Sequence, residues 1–141
     1  KGFFPITDLE MTRFWLRLDE GVNFVLKNIS RAFGGELFIP KIKSVKILDL
    51  AKSFNNKYSI KVIGIRPGEK LHESLISEEE AKNTVEYKDF FIIKPSIIPN
   101  ERLNTNYLKT KIGESGRKSK IKLYRSDLNS FLNIKELKNY K

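Results

Sequence analysis

Apolar positions between residues 5 and 32 recur at three- and four-residue intervals: Met11, Phe14, Trp15, Leu18, Val22, Val25, Leu26 and Ile29. That spacing puts them on one side of a helix whose start Thr7 or Asp8 can cap. A second reading splits the segment, because Phe14-Trp15-Leu16 is a continuous, partly aromatic run that periodicity alone does not assign. Met11 to Leu16 is then a short strand, and the helix runs from Leu18 to Ala32. Either way the helix stops at Gly34-Gly35, since glycine accepts the positive φ that closes a helix.

Further along, Glu36-Leu37-Phe38-Ile39 reads as a buried strand ended by Pro40. Ile47, Leu48, Leu50, Ala51 and Phe54 form a second helical stripe, ended by Asn55-Asn56. Ile60 to Ile65 alternates apolar with polar or small residues, which predicts a strand, and Pro67-Gly68 turns the chain out of it. Glu69 to Ile76 reads as a short helix with Leu71, Leu75 and Ile76 on one side. Ser77 with Glu80 fits a capping box, and Glu78-Glu79-Glu80 an acidic first turn. Phe90 to Ile93 is a strongly apolar strand. Residues 95–120 are weakly patterned and read as loop. Because so long a structureless loop is unusual in a compact domain, short unseen elements or packing on a further part are expected there. Ser126 to Lys141 reads as a turn and a short terminal helix carrying Leu132, Ile134 and Leu137. Alternating helices and strands of this kind predict an α/β fold.

At 141 residues the chain fits one domain and can bury a core without disulfides or a structural metal. It has no Cys and one His, which excludes thiol nucleophiles, Cys-type zinc sites and two-histidine mechanisms. No apolar run approaches a membrane span and no signal peptide is visible, so the cytoplasm is the expected location. The first residue is not Met and the chain opens inside a patterned stretch, as a piece of a longer protein does. The net charge of +10 is uneven. Residues 1–93 hold 15 Lys+Arg against 13 Asp+Glu, whereas residues 94–141 hold 12 against 4. The excess is densest between Lys109 and Arg125, around Gly113 and Gly116, where an exposed mobile loop is expected. Such a segment can neutralise nucleic-acid phosphates or approach an anionic membrane surface, or it is simply a solvated tail. The absence of interleaved stacking aromatics argues against nucleic acid.

The sharpest candidate chemistry lies in Gly64-Ile65-Arg66-Pro67-Gly68-Glu69-Lys70-Leu71-His72-Glu73, at the end of a predicted strand. Ligands of α/β sheets bind outside the carboxyl ends of strands, and a helix start there offers free N–H groups to an anion. Arg66 supplies a planar fork for phosphate, and Glu69 an acceptor for vicinal hydroxyls such as those of a ribose. The competing reading is a turn in which Arg66 and Glu69 pair with each other. Thr12-Arg13 lies among bulky apolar residues, where an arginine either pairs with a carboxylate or holds an anionic ligand. His72 has no evident partner and reads as a surface or structural residue on the short helix. Phe14 and Trp15 read as core, and Lys41 to Lys46 as a solvated connection. The chain contains no Gly-x-x-Gly-x-x-Gly or Gly-x-Gly-x-x-Gly and no Walker loop.

An ordered set of motifs goes further. It comprises Pro5-Ile6-Thr7-Asp8, Met11-Thr12-Arg13-Phe14-Trp15, Gly21-Val22-Asn23-Phe24-Val25-Leu26, Gly34-Gly35-Glu36, Phe38-Ile39-Pro40-Lys41, Asp49-Leu50-Ala51 and Gly64 to Glu73. Together they resemble the C-terminal part of the inverting UDP-N-acetylglucosamine 4,6-dehydratases, members of the polysaccharide biosynthesis family and of the extended short-chain dehydrogenases/reductases. The likeness covers residues 4–93 and returns near Tyr124 to Leu137. Lys43 and Arg17 depart from the family pattern beside the motifs.

The resemblance implies the C-terminal substrate-binding lobe of an extended short-chain dehydrogenase/reductase, an α/β lobe lacking most of the Rossmann domain. It divides the chain into a nucleotide-sugar-binding lobe, 1–93, and a basic extension with a terminal helix, 94–141. It selects the strand-then-helix reading of residues 11–32. It implies Arg66 on the diphosphate of a UDP-sugar, Glu69 on the ribose, and Thr12 and Arg13 lining the same pocket. It places NADP, the glycine-rich loop and the catalytic Tyr, Lys and Asp in a part this chain does not contain. The full-length enzyme is then a homo-oligomer that removes water across C5 and C6 with inversion at C5, for surface polysaccharide or flagellin glycans. The fragment alone binds no NADP and is inactive. A related nucleotide-sugar epimerase, or a basic anion- or nucleic-acid-binding module, remain the alternatives.

Overall fold

The computed structural model describes residues 2–54, 57–97 and 104–140. These form two compact units, each assembled from separate stretches of chain. One takes residues 1–17, 42–74 and 125–141, the other residues 18–41 and 75–124.

The first unit holds two strand pairs and two helices. Strand β1 (Phe3–Ile6) runs parallel to β5 (Ser59–Val62), and β2 (Thr12–Phe14) antiparallel to β4 (Ser44–Lys46). Helix α2 (Ile47–Phe54) carries the predicted stripe; the Asn55-Asn56 stop expected after it lies outside the described residues. Helix α4 (Ile134–Asn139) opens with a capping box, Asn133 accepting from Glu136 N–H and the Glu136 carboxylate accepting from Asn133 N–H. Val45, Leu132 and Leu137 form the core, with Trp15, Leu50 and Tyr140 packed on it, so Trp15 is a packing residue. Ser44 ties the terminal segment in: its N–H donates to Ser130 O at 2.8 Å, and its carbonyl accepts from Leu132 N–H at 2.8 Å.

The second unit is built on an antiparallel sheet of order β3-β8-β7-β9, from Leu37–Pro40, Phe90–Ile93, Thr84–Glu86 and Arg117–Lys118. All four residues of β8 are buried. Val85, Tyr87, Phe90, Ile92 and Tyr107 form the core, and Phe24, Phe33 and Phe38 pack against it. Helix α1 (Leu18–Arg31) confirms the split reading, with Asp19 and Glu20 in its first turn and Gly34 (φ 113°) and Gly35 (φ 86°) beyond its end. Its periodic apolar residues Leu18, Val22, Val25, Leu26 and Ile29 are exposed, whereas Phe24 meets Phe90 edge to face. The expected box at Ser77 and Glu80 caps α3 (Glu78–Ala81). The basic stretch is partly tied down, because Arg31 forks onto Glu114 at 2.6 Å and Arg117 bonds Glu86 at 3.1 Å.

The structure corrects two expectations and adds one strand. Residues 69–76 form no helix: Arg66 to Glu69 is a turn, and Ser74–Ile76 is a strand, β6. The Leu71, Leu75, Ile76 spacing imitates a helical face, but the Leu71 carbonyl and both backbone groups of Glu73 bond to other segments of the chain. The strand at Leu37 is half-buried rather than buried, with Leu37 exposed and Pro40 as its last residue. Strand β7, at Thr84–Glu86, has too few residues to show an alternation and was not foreseen. The last short strand, β10 (Tyr124–Arg125), lies where the chain passes between the units.

Candidate functional site

All four candidate residues fall in the first unit. Thr12 and Arg13 open β2, and Arg66 and Glu69 bracket the turn that follows β5. Gly68 (φ 79°) inside the turn and Gly64 (φ 85°) two residues before it take a left-handed conformation that side chains disfavour. Glu69 N–H donates to the Arg66 carbonyl at 3.0 Å, and the Glu69 carboxylate accepts from Arg66 N–H at 3.1 Å. The two residues therefore meet through the Arg66 backbone. The Arg66 guanidinium is exposed and has no hydrogen bond or ion pair among the described residues.

Arg13 takes the place beside Glu69. Its Nη2 lies 3.7 Å from Glu69 Oε1 and its Nε 3.8 Å from Glu73 Oε1. Its Nη1 donates to the Thr12 carbonyl at 2.7 Å and the Leu71 carbonyl at 3.1 Å. Of the two fates open to a half-buried arginine, pairing with carboxylates is the one observed. A carboxylate offers about four acceptor positions, so Glu69 keeps room for hydroxyl donors after these contacts.

Thr12 is buried and bonds two partners at once, Ser126 Oγ at 2.6 Å and His72 Nδ1 at 2.8 Å. Ser126 is fully buried; its Oγ accepts from Glu73 N–H at 3.0 Å and its own N–H donates to the Glu73 carbonyl at 2.8 Å. His72 Nε2 lies 3.9 Å from Asp127 Oδ2. The Arg125 fork grips Asp127 at 2.6 and 2.9 Å and holds its carboxyl below the usual range. His72 thus stands on no helix and has partners, contrary to its sequence reading. Ser126, Asp127 and Arg125 are the residues that sequence reasoning missed. Their one signal was the return of the family likeness near Tyr124 to Leu137.

In the second unit, burial pushes the Tyr87 phenol up to about 12, and its hydroxyl donates to the Tyr107 carbonyl, so it is a core group. A cavity of about 490 Å³ there is lined by Glu78, Lys82, Lys118, Ser119, Lys120 and Lys122, whose lysines are exposed. Among the described residues, no group of His, Cys, Asp and Glu fits a metal ion, and no helix is long and apolar enough to cross a membrane.

In this mixed α/β chain an exposed arginine and a carboxylate with acceptor capacity to spare thus share one turn. The chain belongs to the polysaccharide biosynthesis protein family, whose sequence model matches residues 1–95. It is 49% identical over 116 residues to the inverting UDP-N-acetylglucosamine 4,6-dehydratase of Campylobacter jejuni, covering 82% of this chain and 34% of that protein. It is 33% identical over 137 residues to the UDP-glucose 4-epimerase of Rickettsia rickettsii, covering 94% of this chain and 39% of that one. The X-ray structure of Pen from Bacillus thuringiensis superposes with a TM-score of 0.78 at 31% identity, over 96% of this chain and 40% of Pen. The chain therefore spans about a third of the length of the curated relatives it matches.

Proposed function

We propose that this chain is the substrate-binding portion of a nucleotide-sugar 4,6-dehydratase acting on UDP-N-acetylglucosamine, with inversion at C5. The observation that carries the reading is the exposed Arg66 guanidinium, without a protein partner among the described residues, three positions from a carboxylate with acceptor capacity to spare. Arg66 binds the diphosphate through its fork, and Glu69 accepts from the ribose hydroxyls. Arg13 orients Glu69, and Thr12 supports the loop from beneath. In this reading residues 1–93 supply the nucleotide-sugar-binding lobe and 94–141 a basic extension. NADP supplies hydride acceptance and return when bound. The residues of this chain do not fit it, since no glycine-rich dinucleotide fingerprint occurs among its eight glycines. The cofactor and the acid–base groups belong to the rest of the polypeptide, and the chain alone is expected to turn over no substrate.

Calorimetric titration of the chain with UDP and with uridine tests this. UDP binds and uridine binds more weakly; Arg66→Ala lowers UDP affinity about tenfold or more and leaves uridine unchanged, as loss of a charge-assisted phosphate contact requires. Equal affinity of wild type and Arg66→Ala for UDP refutes the assignment. The likeness to UDP-glucose 4-epimerases over 94% of the chain favours one second reading, epimerisation of a related UDP-sugar. The product formed by the complete polypeptide, a 4-keto-6-deoxy sugar or a C4 epimer, separates the two.

A further inference from the structure

Two buried hydroxyls and the sole imidazole form a chain whose direction the geometry constrains. Ser126 Oγ already accepts from Glu73 N–H at 3.0 Å. Each hydroxyl has one proton to give. If Ser126 donates to Thr12 and Thr12 donates to His72 Nδ1, every proton in the buried chain has an acceptor. Nε2 then carries the hydrogen and faces the Asp127 carboxylate, which Arg125 holds ionised. If His72 instead donates from Nδ1, Thr12 either donates to Ser126 or accepts from both neighbours. Either way one buried hydroxyl proton, that of Ser126 or that of Thr12, is left without an acceptor among the bonds described, a costly arrangement.

This relay is attached to the candidate site at both ends. Leu71, just before His72, accepts from Thr12 N–H at 3.1 Å and from Arg13. Glu73, just after it, exchanges two bonds with Ser126 and lies 3.8 Å from Arg13 Nε. Residues 71–73 are thereby fastened to β2 and to Ser126, and Arg13, held by the Leu71 carbonyl, reaches Glu69.

We propose that His72 is a positioning residue: as the Nε2–H tautomer it accepts from Thr12 and locks the Ser126–Thr12 relay in the direction that holds the Arg66–Glu69 loop. The lock rests on the geometry alone; its consequence for ligand rests on the UDP reading above.

The test compares His72→Phe, which keeps a ring but no acceptor, with His72→Asn, whose amide oxygen takes the Nδ1 position. Long-range proton–nitrogen spectra of the wild-type chain at neutral pH show a single Nε2–H tautomer. In His72→Phe, amide exchange at Glu73 and Ser126 accelerates about tenfold or more, the size expected for a buried hydrogen bond lost. Exchange at Leu132, bonded to Ser44 in the same unit, stays as in wild type, which sets positioning apart from general loosening. UDP affinity falls with the exchange protection, and His72→Asn restores both to within about threefold. An Nδ1–H tautomer, or wild-type exchange at Glu73 in His72→Phe, overturns the proposal. Failure of the wild-type chain to bind UDP refutes the proposed function alone, since tautomer and exchange still decide the role of His72.

Discussion

Arg13 offers the sharpest energetic test of how the loop is held. Its Nη1 donates to two carbonyls, at 2.7 and 3.1 Å, and its Nη2 and Nε lie 3.7 and 3.8 Å from Glu69 and Glu73. Hydrogen bonds from a charged donor contribute about 1.5–3 kcal/mol, and ion pairs as open as these at most about 1 kcal/mol each. Arg13→Met removes all four contacts, leaves the Leu71 carbonyl with the Thr12 N–H as its donor, and is expected to cost about 3 kcal/mol. Arg13→Lys keeps a charge but loses the fork, and should cost about 1–2 kcal/mol. Trp15, the single tryptophan, packs on the core of the same unit, so urea unfolding followed by its fluorescence reports the relevant transition. Repeating the titration at about 1 M salt, where the Debye length is about 3 Å, removes the ion-pair share and leaves the carbonyl share. A wild-type midpoint for Arg13→Met, or a loss that vanishes entirely in salt, would refute the view that the carbonyl bonds dominate.

Other consequences follow from the second unit and from the carboxylates. A Cβ at Gly116 would lie 2.7 Å from Tyr87 Cζ and 2.9 Å from Val85 Cγ1, both in the core, so Gly116→Ala should lower stability by about 1–3 kcal/mol in chemical denaturation. Unchanged stability would show that the backbone at Gly116 shifts freely. Glu86, beside Arg117 and Lys41, Glu114, gripped by Arg31, and Asp127, gripped by Arg125, all titrate below the usual carboxylate range. The folded form therefore binds protons less readily than the unfolded chain. Its stability is full above about pH 5 and is lost as pH falls through the carboxylate range. Unfolding midpoints that stay flat from about pH 6 to pH 3 would contradict this.

The parts legible in the sequence are those fixed by local chemistry. The stripes of α1 and α2, the glycine stop after α1 and the capping box at Ser77 act within one or two turns of the chain. The Arg66 turn was legible because Pro67-Gly68 follows an alternating strand. Residues 69–76 were misread because their backbone is claimed by Thr12 and Ser126, partners that no local pattern reveals. The partner of His72 is hidden from the sequence for the same reason, lying 60 residues away. The apolar face of α1 was correctly read as a stripe, yet periodicity does not say which unit covers it, and in this chain it is exposed.

The central claim is that the Arg66–Glu69 turn receives a uridine diphosphate group. Its most direct test is the backbone amide spectrum of the chain titrated with UDP. The account predicts saturable shifts confined to Gly64 through Glu73 and to Thr12 and Arg13, lost in Arg66→Ala. Shifts gathered instead around Lys118 to Lys122, or none anywhere at saturating UDP, would contradict it.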